Sequence, residues 1–279
     1  MVLPSKSNHL NDPSELFVLR SPFKIEWLDK VPWHGHITYD VSLLHSVWNA
    51  SAFKSLLGPE AAFFTVLRDP VDAFESLFTY TKMERNLGGI GLSEYINKLS
   101  LNHTFPRVPN LLGLNQQSWD LGVNESDFNS PDKLMKKVSE LDGDFDLVLI
   151  AEKMDESLVL LAHLLCVPLS QVASLPVNVR KKHNKIHLSN MQKTELRKHL
   201  KADQLLYEHF SSRLQKMVEK FGVDKMEASK AELRRENEAL KERCEVRELE
   251  EKEEVARKGG GLEKNFRPVS KDVIAYSVR

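Results

Sequence analysis

The chain has 279 residues, of which 41% are hydrophobic and 28% charged, enough for one large domain or two small ones around a sizeable core. Its 39 basic and 40 acidic side chains leave a formal charge of −1, which excludes a protein held on nucleic acid chiefly by bulk charge. No apolar run approaches the roughly 20 residues of a membrane span, and the opening MVLPSKSNHLNDPSELF lacks the basic-then-apolar layout of a signal peptide.

Residues 1–35 are rich in Pro, Ser and Asn and read as irregular. The mixed alternation of 36–48 (HITYDVSLLHSVW) suits a strand, and 51–58 a short helix ending near Gly58. The continuous apolar run 61–67 (AAFFTVL) predicts a strand buried on both faces. A helix follows from Pro70 to about Lys82, with Asp69 as N-cap and Pro70 in the first turn. Residues 84–130 are broken by Gly88, Gly89, Pro106 and Pro109 and carry no clear periodicity. A helix over 131–141, a second buried strand in 145–152 (FDLVLIAE) and a helix over 154–166 come next. The last of these is expected to set Leu158, Leu161, Leu164 and Leu165 on its apolar side.

A long helical stretch spans 189–222 and stops at Gly222, and a charged, solvated helix is expected over 224–258. Strands alternating with helices predict an α/β fold around a mainly parallel sheet, with ligands beyond the C-terminal strand ends. The expected organisation is an irregular segment 1–35, an α/β domain 36–222, and the charged helix with an extended tail over 223–279. Cys166 and Cys244 form no metal-ligand spacing and are read either as separate thiols or as a pair in an oxidising compartment. Asn49, Asn102 and Asn124 head Asn-x-Ser/Thr sequons, a weak hint of a secretory location.

The chemistry concentrates in 63–80, FFTVLRDPVDAFESLFTY. Arg68 falls at the tip of the first strand. Val71, Phe74 and Phe78 form the packing stripe of the helix, leaving Asp72, Ser76, Thr79 and Tyr80 on the other side. A guanidinium supplies paired donors matched to phosphate oxygens, and a serine adds a neutral donor. Arg68 and Ser76 thus make a candidate anion cradle; the alternative is that Arg68 pairs with Asp69 or Asp72 while Ser76 faces solvent.

The run LRDPVDAFESLF resembles the 3′-phosphate-binding motif of Golgi carbohydrate sulfotransferases, and more closely that of the galactose-3-O-sulfotransferases, galactosylceramide sulfotransferase among them. Further segments are similar in the same order: WDLG (119–122), FDLVLIAEKMDESLVLLAHLLC (145–166), LPVNVRKK (175–182), LLYEHF (205–210), VEKFG (218–222) and FRPVSKDVIAYSVR at the end. The resemblance implies a sulfotransferase fold related to P-loop NTPases and a sulfate donor, PAPS (3′-phosphoadenosine 5′-phosphosulfate). It implies donor contacts from Arg68, Ser76, Asn178 and Arg180, and no metal.

It also implies a base: His45 matches the second of the family's paired histidines, with Leu44 in place of the first and Val47 where an arginine is usual. His34, His36, His183 and His187 are weaker candidates, and Lys181, Lys182, His183 and Lys185 form a basic cluster that could flank the nucleotide. The implied acceptor is the 3-hydroxyl of galactose on a glycolipid or glycan, and the implied location is the Golgi, through an anchor that this chain does not contain. The Lys-Thr-Gly/Ala-Ser-Ser-Thr-like loop that holds the 5′-phosphosulfate in the family has no counterpart in the chain. Two readings therefore stand: an N-terminally incomplete enzyme, or a divergent member acting as a binding protein. A third, a helical interaction protein built on the charged helix, leaves the buried strands unexplained.

Overall fold

The structure, a computed structural model, describes residues 46–107, 112–175 and 185–244, together with the backbone of 247–248 and 276–277. It is a mostly helical α/β structure with a small parallel sheet. Two compact units divide the chain: 1–152 with 188–214, and 153–187 with 215–279.

In the first unit, α1 (Ala50–Leu57) starts where the Asn49 side chain accepts from the Ala52 N–H, and stops at Gly58, whose φ of 90° suits a residue without Cβ. Trp48, just ahead of α1, stacks on Phe53 at 5.2 Å and meets Phe145 at 4.6 Å. Strand β1 (Phe64–Leu67) pairs in parallel with β2 (Leu147–Ile150), with Phe64 opposite Leu147 and Leu67 opposite Ile150. All four β2 residues are buried, as the apolar run predicts. On β1 the expectation of two buried faces fails: Phe64 is 42% and Val66 52% exposed. Among the described residues β1 has a neighbour on one edge only, so half of its apolar residues have nothing to pack against.

Helix α2 (Pro70–Tyr80) follows β1 directly. Its buried stripe, Val71, Phe74 and Phe78, packs with Tyr95, Ile96 and Leu99 of α4 (Leu92–Ser100) and with Leu196 of α8 (Asn190–His199). The short α3 (Met83–Asn86) lies between α2 and α4. Tyr95 is the hub, with ring centroids 4.1 Å from Phe105, 5.6 Å from Phe74 and 5.7 Å from Phe78. The stretch that looked irregular thus supplies a core helix, α4, and a five-residue helix, α5 (Gln116–Asp120). Leu92, Tyr95, Ile96 and Leu99 do recur at helical spacing, between glycines and a turn.

Helix α6 (Pro131–Asp144) leads into β2. The expected continuous helix over 189–222 is two helices, α8 and α9 (Lys201–Phe221), separated at Leu200. The break is enforced from outside: Asn115 donates from Nδ2 to the His199 carbonyl at 3.0 Å, and its Oδ1 accepts from the Ala202 and Asp203 N–H groups. Helix α8 opens with a capping box between Ser189 and Gln192. Ser189 is exposed and contacts no proposed ligand group, so Ser189→Ala is expected to lower unfolding free energy by about 1 kcal/mol in urea titrations and to leave ligand binding unchanged.

In the second unit, α7 (Met154–Leu164) buries Val159, Leu160, Leu161 and Ala162, while Leu165, expected on the apolar side, is 40% exposed. Packing against α10 (Val223–Arg243) selects the face: α10 lies along α7 and along the turn at Leu169–Gln171. Met226 and Leu233 of α10 are fully buried, so this part of the charged segment packs along one face while most of its other residues stay exposed, as expected of a solvated helix. Lys230 pairs with Glu156 at 2.8 Å and Arg234 with Asp155 at 2.8 Å, orienting the two helices. The remainder of the expected 224–258 helix lies outside the described residues, apart from a two-residue antiparallel pairing of β3 (Arg247–Glu248) with β4 (Tyr276–Ser277). Cys166 and Cys244 are free thiols. No described helix is long and apolar enough to cross a membrane.

Candidate functional site at the β1–α2 turn

Arg68 stands between the end of β1 and the N-terminus of α2, at the carboxyl ends of two parallel strands. That is where an open parallel sheet exposes its backbone ends and gathers loops, and where ligands bind in this class of fold. Four hydrogen bonds fix the turn. The Arg68 N–H donates to Gln117 Oε1 at 2.8 Å, and Gln117 Nε2 donates to the Arg68 carbonyl at 3.0 Å. The Asp69 N–H donates to Glu152 Oε1 at 2.9 Å, and Arg197 Nη2 donates to Asp69 Oδ2 at 3.3 Å.

The partners of this turn are themselves held. Glu152 follows β2, and its other oxygen accepts from the Tyr207 hydroxyl of α9 at 3.2 Å. Gln117 belongs to α5, whose first N–H groups are capped by Asp203: Asp203 Oδ1 accepts from the Ser118 N–H at 2.7 Å and from Ser118 Oγ at 2.6 Å, and Oδ2 accepts from the Gln117 N–H at 3.4 Å. Since Asn115 in turn caps α9, the two helix starts cap each other. Asp203 is 3% exposed, and burial pushes its carboxyl up to about 6 against the opposing pull of the Ser118 and Gln117 donors.

The Arg68 side chain is differently placed. Among the described residues its guanidinium makes no ion pair or hydrogen bond, with Asp69 or with Asp72; Asp69 caps α2 and pairs with Arg197. Asp69 Oδ1 accepts from the Val71 and Asp72 N–H groups, and the Asp69 carbonyl accepts from the Ala73 N–H. The start of α2 therefore has its leading amides occupied, and an anion at this turn has to be held by side chains. Ser76 is half-buried on the side of α2 away from Val71 and Phe74, and its hydroxyl has no hydrogen bond among the described residues. At 1.5 Å per residue it sits about 9 Å along the helix axis from Pro70. His45, Asn178 and Arg180, with Lys181, Lys182 and His183, lie outside the described residues.

Two other features carry no comparable arrangement. A shallow cleft beside Trp48, Lys137, Glu140 and Asp144 shares no residue with the turn, and its polar groups are taken up by Trp48 Nε1 on Asp144 and by the Lys137–Glu140 pair. Among the described residues no group of three or more His, Cys, Asp and Glu side chains is arranged to hold a metal ion.

The family model for galactose-3-O-sulfotransferase matches residues 23–279. The chain belongs to the galactose-3-O-sulfotransferase family. It is similar to galactosylceramide sulfotransferase of Bos taurus, 31% identical over 215 residues that cover 74% of this chain and 50% of the relative. The Mus musculus galactosylceramide sulfotransferase is 32% identical over 222 residues, with the same coverage. Galactose-3-O-sulfotransferase 2 of Mus musculus is 25% identical over 197 residues, 68% of this chain and 49% of the relative. The chain thus spans about half the length of the curated relatives it matches. No solved structure matches it.

Within this family member, sequence reasoning picked out the residue at the strand tip and the serine on the helix but not the apparatus around them. Gln117, Glu152, Arg197, Asp203 and Tyr207 were not singled out. Three of them lay close to visible signals, since Gln117 is two residues ahead of WDLG, Glu152 is inside FDLVLIAEKMDESLVLLAHLLC and Tyr207 is inside LLYEHF.

Proposed function

We propose that this chain takes part in transferring sulfate from PAPS to the 3-hydroxyl of a terminal galactose on a glycolipid or glycan, and that the β1–α2 turn binds the donor's 3′-phosphate. The observation that carries the donor reading is that, among the described residues, the Arg68 guanidinium at the tip of a parallel strand has no partner and the hydroxyl of Ser76, on the helix that follows, is equally uncommitted. A dianionic phosphate satisfies both: the guanidinium through paired charge-assisted hydrogen bonds, the hydroxyl through one neutral bond. Family membership supports the chemistry, and a sulfotransferase fold related to P-loop NTPases is the architecture proposed for it.

PAPS supplies an activated sulfuryl group when bound. The chain's own residues would do the rest. Arg68 and Ser76 would anchor the 3′-phosphate, Asn178 and Arg180 would contact the same nucleotide, and His45 would take the proton from the galactose 3-hydroxyl as that oxygen bonds to sulfur and the sulfur–oxygen bond to the 5′-phosphate breaks, releasing 3′-phosphoadenosine 5′-phosphate. An imidazole suits this step because it exchanges protons near neutral pH. The proposed location is the Golgi, in keeping with a glycolipid or glycan acceptor of the kind the relatives' names describe.

Isothermal titration with 3′-phosphoadenosine 5′-phosphate and with 5′-AMP tests the donor reading, because the two ligands differ in the 3′-phosphate alone. The former is expected to bind at least about tenfold more tightly, the value of one charge-assisted contact. Equal affinities would remove the 3′-phosphate assignment.

A further inference from the structure

We propose that Gln117 is a positioning residue for the donor site: its side-chain amide fixes the Arg68 peptide and so aims the guanidinium at the 3′-phosphate. This rests on the reading of Arg68 given above.

A primary amide offers one acceptor and one donor in a plane. Here both are spent on a single residue, Oε1 on the Arg68 N–H at 2.8 Å and Nε2 on the Arg68 carbonyl at 3.0 Å. The pair reproduces what a neighbouring strand would give that peptide, at the point where β1 has run out of strand partners. Among the described residues these are the only hydrogen bonds Arg68 makes, since the guanidinium has no hydrogen-bond or ion-pair partner there. The position of the arginine is therefore set through its backbone.

The clamp is rigid for a reason outside itself. A five-residue helix such as α5 has little stability of its own. The buried Asp203 carboxylate ties the Gln117 and Ser118 amides and the Ser118 hydroxyl to α9, and Asn115 returns the cap. Gln117 thus transmits the placement of a long helix to a strand tip. A bidentate contact to phosphate tolerates displacements of only about half an ångström, so freeing the peptide should cost affinity without removing any ligand contact.

The test is a double-mutant cycle between Gln117→Leu and Arg68→Ala, read as affinity for 3′-phosphoadenosine 5′-phosphate and for 5′-AMP. Gln117→Leu keeps the size of the side chain and removes both hydrogen bonds. It is expected to weaken the bisphosphate about tenfold, to leave 5′-AMP unchanged, and to have no further effect once Arg68 is alanine. A merely structural role would weaken both nucleotides alike and persist in the Arg68→Ala background; either result overturns the proposal. If Arg68→Ala alone leaves bisphosphate affinity intact, the phosphate reading fails. If it abolishes the preference while Gln117→Leu keeps wild-type affinity, only the positioning role fails.

Gln117→Glu gives an independent arm should the leucine variant not fold. A protonated glutamate can accept from the Arg68 N–H and donate to its carbonyl as the amide does, whereas the carboxylate cannot donate. Affinity of this variant relative to wild type, in which Asp203 also titrates, is expected to recover as the pH falls. A ratio independent of pH counts against the clamp.

Discussion

Replacing Arg68 with alanine is expected to weaken binding of 3′-phosphoadenosine 5′-phosphate by about 30- to 100-fold. Charge-assisted hydrogen bonds are worth about 1.5–3 kcal/mol each, and about 1.4 kcal/mol is a factor of ten. The loss should appear in the bisphosphate alone, with 5′-AMP affinity unchanged, because the arginine is assigned to the 3′-phosphate. Arg68→Lys is expected to fall between: it restores the charge but not the planar fork that meets two oxygens at once. Folding should be indifferent to either change, within about 0.5 kcal/mol, since no described residue pairs with the guanidinium and the hydrogen bonds of residue 68 are made by its backbone. Calorimetric titration paired with urea unfolding separates the two effects. A variant that binds normally, or one that loses affinity only in proportion to lost stability, contradicts the assignment.

The second large effect concerns Asp203. Asp203→Ala is expected to destabilise the protein by about 3–5 kcal/mol, because the Ser118 N–H, the Ser118 hydroxyl and the Gln117 N–H lose their buried acceptor together. Asp203→Asn isolates the charge. The folded carboxyl titrates near 6, whereas an unfolded aspartate releases its proton near 4. Between those values the folded state holds the proton and the unfolded state does not. The contribution of this group to stability is therefore greatest in acid and is lost as the pH rises through 6. From about pH 4.5 to about pH 7.5 the advantage of wild type over Asp203→Asn is expected to shrink by about 2 kcal/mol. Urea unfolding of both proteins at the two pH values measures it, and an unchanged difference would mean that Asp203 titrates as it does in an unfolded chain.

Local signals carried much of the fold. Apolar runs marked β1 and β2, Asp69-Pro70 marked the start of α2, and Gly58 and Gly222 marked helix ends, each within a few residues of what it determines. What failed to show depends on distant partners. Nothing between 189 and 222 announces the break at Leu200, because the side chain that caps both sides of it is Asn115. The buried face of α7 is chosen by α10, so Leu165, just past its end, is left outside. Phe64 and Val66 look like core residues by composition, but burial depends on a neighbour, and the described part of the sheet provides one edge only. Helix α4 is a different kind of miss: its spacing was visible, and the surrounding glycines and prolines drew attention away from it.

The candidate site divides in the same way. Arg68 and Ser76 could be found from a strand end, a helix face and a family motif, all contained in 18 consecutive residues, 63–80. Gln117 could not, since an amide three helices away announces nothing about which peptide it will grip.

The mutual capping of α5 and α9 has a kinetic side. The hydrogen bonds that immobilise the β1–α2 turn join residues 49, 83 and 128 positions apart, and the one that holds their support joins residues 85 apart. Each requires a long loop to close before any hydrogen bond rewards the closure, which places them late in folding and early in partial unfolding. The arginine's neighbourhood is thus expected among the later parts of the first unit to become ordered, and exchange of its amides would report on completion of the fold.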